Sequence, residues 1–589
     1  MKMLTVLRMS ARRIVLDPKE YLFGFFLLQS IRWTIGLPII SFLFYQMLQS
    51  AGLVSLTNTN AVQLFASPLA ITLLIVLLFL FTFFAFYELG YYFLIAKYQR
   101  SGIDFTYRTI IKALSKKIPK FFSIHLLFFT LYFGLLLPIA SLGMSTTWTE
   151  KLQIPKFITD ELSNTLIGKM GLFIALLIVL YINIRLIFAL LYFATEENRS
   201  MRQAIAKSWR NTKGKEFTIA TSLLVIVVTF SLTIFLLTMI ALSPVFILEK
   251  GLHIQLPVIA GISLTLIQGT VFTLTAFIQP MLTEALTVIE RGEEEVGKLT
   301  SYRKTFGYYL KRFWPALILG FIVFSFIHTN TLKETVYQPM TKIVAHRGYA
   351  VVALENTIAS LEAAKEAGAD LVEMDIQETK DGKFVVYHDQ TLRRLAKDSR
   401  VVGDMTLDEL TNISLSNGTF TEPLPSFEAY IDRAKELDIR LLVETKTYGH
   451  ESPEMEENLI ALLHEKEVAY EYIVQSLDLK HLKKLKEIDP NIVTSDVHAL
   501  NVGKLPATTA NYLSLEDFSV SPSLVKQATE QEKGIFVWTV NQENLMHRYI
   551  RLGVYGLITN HVSDAVNVRN VYEEEQGLLQ RLLWIIEGN

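Results

Sequence analysis

The chain runs to 589 residues, 51% of them hydrophobic, with a formal net charge of -1 and no cysteine. That length exceeds what one hydrophobic core fills, and the lack of cysteine excludes disulfides, thiolate metal sites and a cysteine nucleophile. The near-neutral charge averages an apolar front part with basic intervals and a charge-rich remainder, so it identifies no partner.

Seven apolar runs occupy the front part, near residues 22–48, 67–96, 121–143, 170–194, 217–248, 257–289 and 314–330. About 20 helical residues cross a hydrocarbon core of about 30 Å, so six runs are long enough and the seventh is short. Lys311 and Arg312, on one flank only, favour a span there as well. No cleavable signal peptide is evident, because the first run is span-length and no small-residue cleavage site follows it. Of the lysines and arginines, 24 fall in the N-terminal segment and the intervals near 97–120, 195–216 and 290–312, against 4 in the three alternate intervals. Cytoplasmic loops carry such an excess, so the N-terminus is expected in the cytoplasm and, after seven spans, residue 331 onward outside it.

The basic intervals starting at Arg8, Tyr107, Met201 and Tyr302 each interleave basic and apolar residues at near-helical spacing and then enter a span. They are expected as interfacial helices on the cytoplasmic leaflet, and their recurrence suggests a duplicated two-span unit. Arg32, Glu88, Arg185 and Glu284 lie in or near the ends of spans, where pairing with a neighbour or a lipid or transport site would account for an ionisable group.

From Lys342 short apolar runs alternate with amphipathic segments. Candidate strands are Lys342–Ala345, Leu371–Ile376, Arg440–Glu444, Tyr472–Gln475, Ile492–Ser495, Tyr512–Leu515, Ile535–Thr539 and Gly556–Thr559, most of them separated by helical segments such as 479–488 and 544–552. Eight such units in about 240 residues predict a (β/α)8 barrel, a TIM-barrel fold. A doubly wound open sheet is the alternative, but no glycine-rich dinucleotide loop follows a strand. The fold class expected of the whole chain is therefore an all-α polytopic membrane domain, residues 1–330, followed by an α/β barrel, residues 340–568. The tail, residues 569–589, is too apolar for a solvated end and too short to span, which predicts an amphipathic helix on the barrel or the membrane surface.

His346 and the pair Glu373 and Asp375 fall where parallel strands end, the active face of such a barrel. Two carboxylates one residue apart on a strand point the same way, so both can present oxygen to one hard cation. The stretches HRG from His346, ENT from Glu355, EMD from Glu373, VVYHD from Val385, VETK from Val443 and VWTVN from Val537 resemble the glycerophosphodiester phosphodiesterase family over residues 340–568. The multi-span front part resembles the membrane domain fused to some bacterial members.

The resemblance implies that Glu373, Asp375 and Glu444 hold a divalent cation, magnesium or calcium. It implies that His346 and His388 act as general acid and base and that Arg347 and Lys446 engage the phosphate. Glu355 either orients the site or, with Asn356, caps the next helix. Trp538 either lines a glycerol pocket or packs in the core. Leu354 stands where many members have proline.

The implied function is hydrolysis of glycerophosphodiesters (lipid headgroup diesters, lysolipids or glycerol phosphate polymers of the envelope) to glycerol phosphate and an alcohol, at the outer face of the cell membrane. Membrane lipids are the expected partners; nothing points to nucleic acid, and no protein partner is legible. A lipid phosphodiesterase acting on intact diacyl lipid, and a transporter or scaffold with a non-catalytic barrel, are the alternatives.

Overall fold

The computed structural model describes residues 3–16, 18–58, 60–103, 105–121, 125–136, 166–291, 306–334, 340–573 and 577–587. The chain divides into two compact units, one of Met1–Ala51, Leu64–Thr335 and Gly577–Leu582, the other of Gly52–Gln63, Val336–Gln576 and Leu583–Asn589.

The first unit is helical. Six described helical stretches are long and apolar enough to cross a membrane: Pro18–Ser50, Pro68–Arg100, Leu166–Thr195, Glu216–Gly251, Pro257–Glu290 and Lys311–Lys333. The short seventh run of the sequence is thus the core of a longer helix, Phe306–Glu334. The run 121–143 lies partly outside the described residues, and within them only His125–Leu136 is α-helical. Large apolar side chains such as Phe42, Leu232 and Ile240 point outward on these helices, an arrangement costly in water and neutral in lipid.

Two buried arginines of this unit face carboxylates. Arg13 meets Glu284 at 3.3 Å, and the Tyr21 hydroxyl donates to the same carboxylate at 2.7 Å. Arg185 meets Glu216 at 2.7 Å and stacks over Trp209 at 4.7 Å. Three of the four basic intervals form separate helices, Met3–Leu16, Tyr107–Ser115 and Met201–Asn211. The second is capped by Thr106, and Ser200 with Gln203 closes a capping box on the third. The fourth is continuous from Phe306 with the last long helix.

The second unit is a closed barrel. Its strands are β1 (Ser55–Thr57), β2 (Lys342–His346), β3 (Leu371–Glu378), β4 (Phe384–Val386), β5 (Ser414–Ser416), β6 (Thr421–Pro423), β7 (Arg440–Thr445), β8 (Ile473–Ser476), β9 (Val493–His498), β10 (Asn501–Gly503), β11 (Tyr512–Glu516), β12 (Gly534–Trp538) and β13 (Gly556–Thr559). Eight parallel strands run in the order β2, β13, β12, β11, β9, β8, β7, β3, and β2 pairs with β3 to close the ring, which rules out the open doubly wound sheet. All eight match the strands read from the sequence.

Side-chain alternation builds two cores. Val344, Leu371, Leu442, Ile473, Phe536 and Ile558 fill the interior, while the alternate residues meet the outer helices. The next inward position on several strands, toward their C-terminal ends, is polar: His346, Glu373, Glu444, Gln475, Ser514.

Beyond the ring, β3 continues into an antiparallel pairing with β4, and an insertion between β4 and the helix Phe427–Glu436 folds on its own apolar cluster around Leu395, Met405 and Leu415. β1 lies in the interval between the first two candidate spans and pairs antiparallel with β10, in the loop after β9. The tail helix Leu578–Glu587 buries Trp584 against Tyr572, ring centroids 4.1 Å apart. Within the first unit, its Leu579 amide donates to Glu249 at 2.8 Å.

Candidate active site

At the C-terminal mouth of the barrel the sequence forces a tight entry. Arg347 and Asn356 both adopt positive φ, 58° each, in the loop that leaves β2. Gly348, at φ +74°, has no room for a side chain: a Cβ there would lie 2.3 Å from the Ser360 hydroxyl and 2.7 Å from its carbonyl carbon. The strained turn folds the loop back over the strand ends, so that the Arg347 amide donates to Glu373 at 2.9 Å. The Asn356 side chain brackets Asp375, donating to its carboxylate at 2.8 Å and accepting from its amide at 3.1 Å.

Glu373, Asp375 and Glu444 converge from β3 and β7, each offering an oxygen within 4.8 Å of the others, and all three are buried. The Lys446 ammonium reaches Asp375 at 3.1 Å and also contacts Glu444. The Arg347 guanidinium lies 3.4 Å from Asp375. Burial, then the charges of Asp375 and Glu444, push the Glu373 carboxyl well above its ordinary range. Burial acts on Asp375 in the same sense, but Lys446, His388 and Arg347 outweigh it and hold Asp375 well down. A compact, buried set of hard oxygen donors whose members repel one another fits a hard divalent cation.

The two histidines have different partners. His346 Nδ1 donates to the Asn560 side-chain oxygen at 2.8 Å, and burial followed by the neighbouring Arg347 charge lowers the ring to about 4. His388 Nδ1 donates to the Asp389 carboxylate at 2.8 Å, and Tyr448 donates to the His388 carbonyl at 2.6 Å. Asp389 in turn accepts from Arg394 at 2.7 Å, and Arg394 also donates two bonds of 2.7 Å to Glu355.

Glu355 accepts from Arg347 at 3.0 Å as well, and the following helix is capped by Thr357, so this carboxylate does not cap it. Burial raises it, but the two arginines prevail and hold it at about 2. Trp538 ends β12 beside Glu516 and packs on the interior cluster, half-buried.

Every site residue named from the sequence therefore belongs to the barrel mouth or its loops. Four polar groups escaped that reading. Asn560 and Gln475 stand one position past and within a strand, on the inward face; Gln475 donates to Glu444 at 3.2 Å and accepts from Ser514 at 2.7 Å. Their placement at strand ends was a usable signal. Asp389 adjoins His388 in the sequence, but Arg394 arrives from the insertion and no motif announces it.

Residues 7–324 match the family described as the membrane domain of glycerophosphoryl diester phosphodiesterase, and residues 346–564 match the glycerophosphoryl diester phosphodiesterase family. A glycerophosphodiester phosphodiesterase of Bacillus subtilis is 32% identical over 249 residues, covering 37% of this chain and 83% of the relative. One from Caldanaerobacter subterraneus is 30% identical over 236 residues, 39% of this chain and 97% of the relative. A solved Oleispira antarctica phosphodiesterase, in complex with the product sn-glycerol-3-phosphate, is 20% identical, with a TM-score of 0.35 over 39% of this chain and 96% of that one.

Proposed function

The chain belongs to the glycerophosphodiester phosphodiesterase family, and on that premise we propose that it hydrolyses glycerophosphodiesters in a cation-assisted reaction run by the barrel mouth. The observation that carries the reading is the convergence of Glu373, Asp375 and Glu444 beside His346, Arg347 and Lys446. Glu373, Asp375 and Glu444 would hold the cation, which when bound supplies positive charge for the phosphoryl oxygens. Arg347 and Lys446 add fixed positive charge in a buried place, where it counts for more than in water.

The unlike histidine partners suggest unlike roles. His346, kept neutral by burial and the Arg347 charge while its Nδ1–H rests on Asn560, presents an unprotonated Nε2 suited to taking the proton from the attacking hydroxyl. His388, backed by a carboxylate, is suited to giving a proton to the leaving alkoxide. With a neighbouring glycerol hydroxyl as nucleophile, one O–P bond forms and the bond to the alcohol breaks, and water then opens the cyclic phosphate. Arg394 is a positioning residue, tying Asp389 to Glu355 and so His388 to Arg347.

The membrane domain anchors the barrel, and we place the barrel on the outer side. The lysine and arginine distribution supports this, and so does β1: it lies in a basic-poor interval and pairs with the barrel's β10.

The test is release of choline and glycerol phosphate from glycerophosphocholine by the full chain in detergent with magnesium or calcium. Chelator should abolish turnover, and full activity in excess chelator would remove the cation from the scheme. For placement, Thr509→Cys, an exposed loop position in a chain with no cysteine, should react with an impermeant maleimide on intact cells. Reaction only after lysis puts the barrel in the cytoplasm.

A further inference from the structure

The barrel is completed by a segment from the far end of the chain. Gly52–Gln63 belongs to the barrel unit, although both of its ends continue into candidate spans. Ser55, Leu56 and Thr57 pair with Gly503, Val502 and Asn501, just beyond the C-terminal end of β9, so the segment stands at the mouth and not at the closed end. The pairing is built in: Ser55 and Thr57 are buried, and Asn60 accepts from the Thr57 amide at 2.8 Å and donates to the Ser55 carbonyl at 3.0 Å.

This segment carries no ionisable side chain, and it adds exposed valines to the apolar side chains that other loops of the mouth expose. Val54 and Val62 from the segment, Val351 and Val352 after β2, Tyr448 after β7 and Leu477 after β8 are each between 36% and 79% exposed. Four loops or segments at the same end of the barrel thus surround a charged, buried centre with greasy side chains. A site for small, fully soluble diesters gains nothing from such a rim, whereas a substrate with an apolar tail does. The segment is tied by a short link to the first candidate span. Five residue steps separate Ser50, the end of the first candidate span, from Ser55, at most about 18 Å of extended chain.

We infer that Gly52–Gln63 and the apolar rim select bilayer-held, single-chain glycerophosphodiester lipids, with the tail in the membrane surface and the diester in the barrel mouth. The inference rests on the phosphodiesterase reading above. A single-chain lipid keeps the free glycerol hydroxyl beside the phosphate that this reading uses as nucleophile, and a diacyl lipid has none.

The experiment uses the full chain reconstituted into dioleoyl phosphatidylcholine vesicles, with choline release measured from 1-oleoyl lysophosphatidylcholine in the bilayer and from glycerophosphocholine in solution. The double variant Val54→Asp, Val62→Asp should raise KM for the lysolipid about 10-fold while shifting that for glycerophosphocholine less than about twofold. Leu56→Pro, which removes a β1 amide, should act in the same direction. Equal shifts on both substrates, no shift on either, hydrolysis of the soluble diester alone, or choline release from vesicles lacking lysolipid would overturn the inference. An unsubstituted chain inert toward both substrates would instead bring down the phosphodiesterase reading itself.

Discussion

In the helical unit Arg13 faces Glu284 at 3.3 Å and Arg185 faces Glu216 at 2.7 Å, one cation to one anion each time. At the barrel mouth three carboxylates stand within 4.8 Å of one another, and both nearby cations lean on Asp375. The first pattern pins helices together and asks for nothing more. The second gathers like charge that an added positive group would relieve. Burial alone does not separate a working ionisable group from a structural one; the sign of its neighbours does.

The largest effect is expected at the histidines. His346→Ala and His388→Ala should each cut turnover of glycerophosphocholine at least about 100-fold with thermal stability retained, the scale of a lost general acid or base. Near-normal turnover in either variant would move that ring to the structural side.

In the helical unit the opposite split is expected. Glu284→Gln leaves Arg13 buried against a neutral amide, at a cost of about 3 to 5 kcal/mol for one side of a buried pair. The melting temperature in detergent should fall while kcat of the surviving enzyme holds. Loss of kcat at unchanged stability would mean that the helical unit takes part in the reaction.

Glu355 sharpens the contrast through pH. Its carboxyl is held at about 2 when folded, below its unfolded value of about 4.3, so the stabilisation is present above the unfolded value and is lost as pH falls toward 2. Glu355→Gln should therefore lower stability at pH 7 by up to about 3 kcal/mol and leave the difference near zero at pH 2. A constant difference across that range would detach Glu355 from its arginines.

The smallest effect is expected at Asn560. Asn560→Ala removes the acceptor that orients His346 and should lower kcat about 10-fold, with KM for glycerophosphocholine little changed. A change in KM alone would assign Asn560 to substrate contact instead.

Much of the barrel was legible because buried parallel strands are short apolar runs between turn signals, and its chemistry sits where those runs end. Glu373 and Asp375 lie on such a run; Glu444 and Lys446, at the end of another, are named by the motif they share with the family. What was not legible depends on distant closure. Arg394 comes from a four-residue helix in an insertion with its own core, and its partners Glu355 and Asp389 are joined only in three dimensions. β10 is three residues long, and β1 is an uncharged stretch that reads as an ordinary connection between spans. Pairing of Leu56 with Val502 leaves no periodic mark on either segment.

That same pairing sets an order of assembly. The segment bearing Leu56 emerges early in synthesis, while Val502 is made only after the helical unit and most of the barrel. β1 must therefore wait, unpaired, through nearly the whole of translation before its partner exists, and its contact is among the most distant along the chain. Final closure of the mouth thus reports that the first connection between spans and the late barrel strands have reached the same compartment. A barrel produced by itself from residue 340 onward would lack that strand.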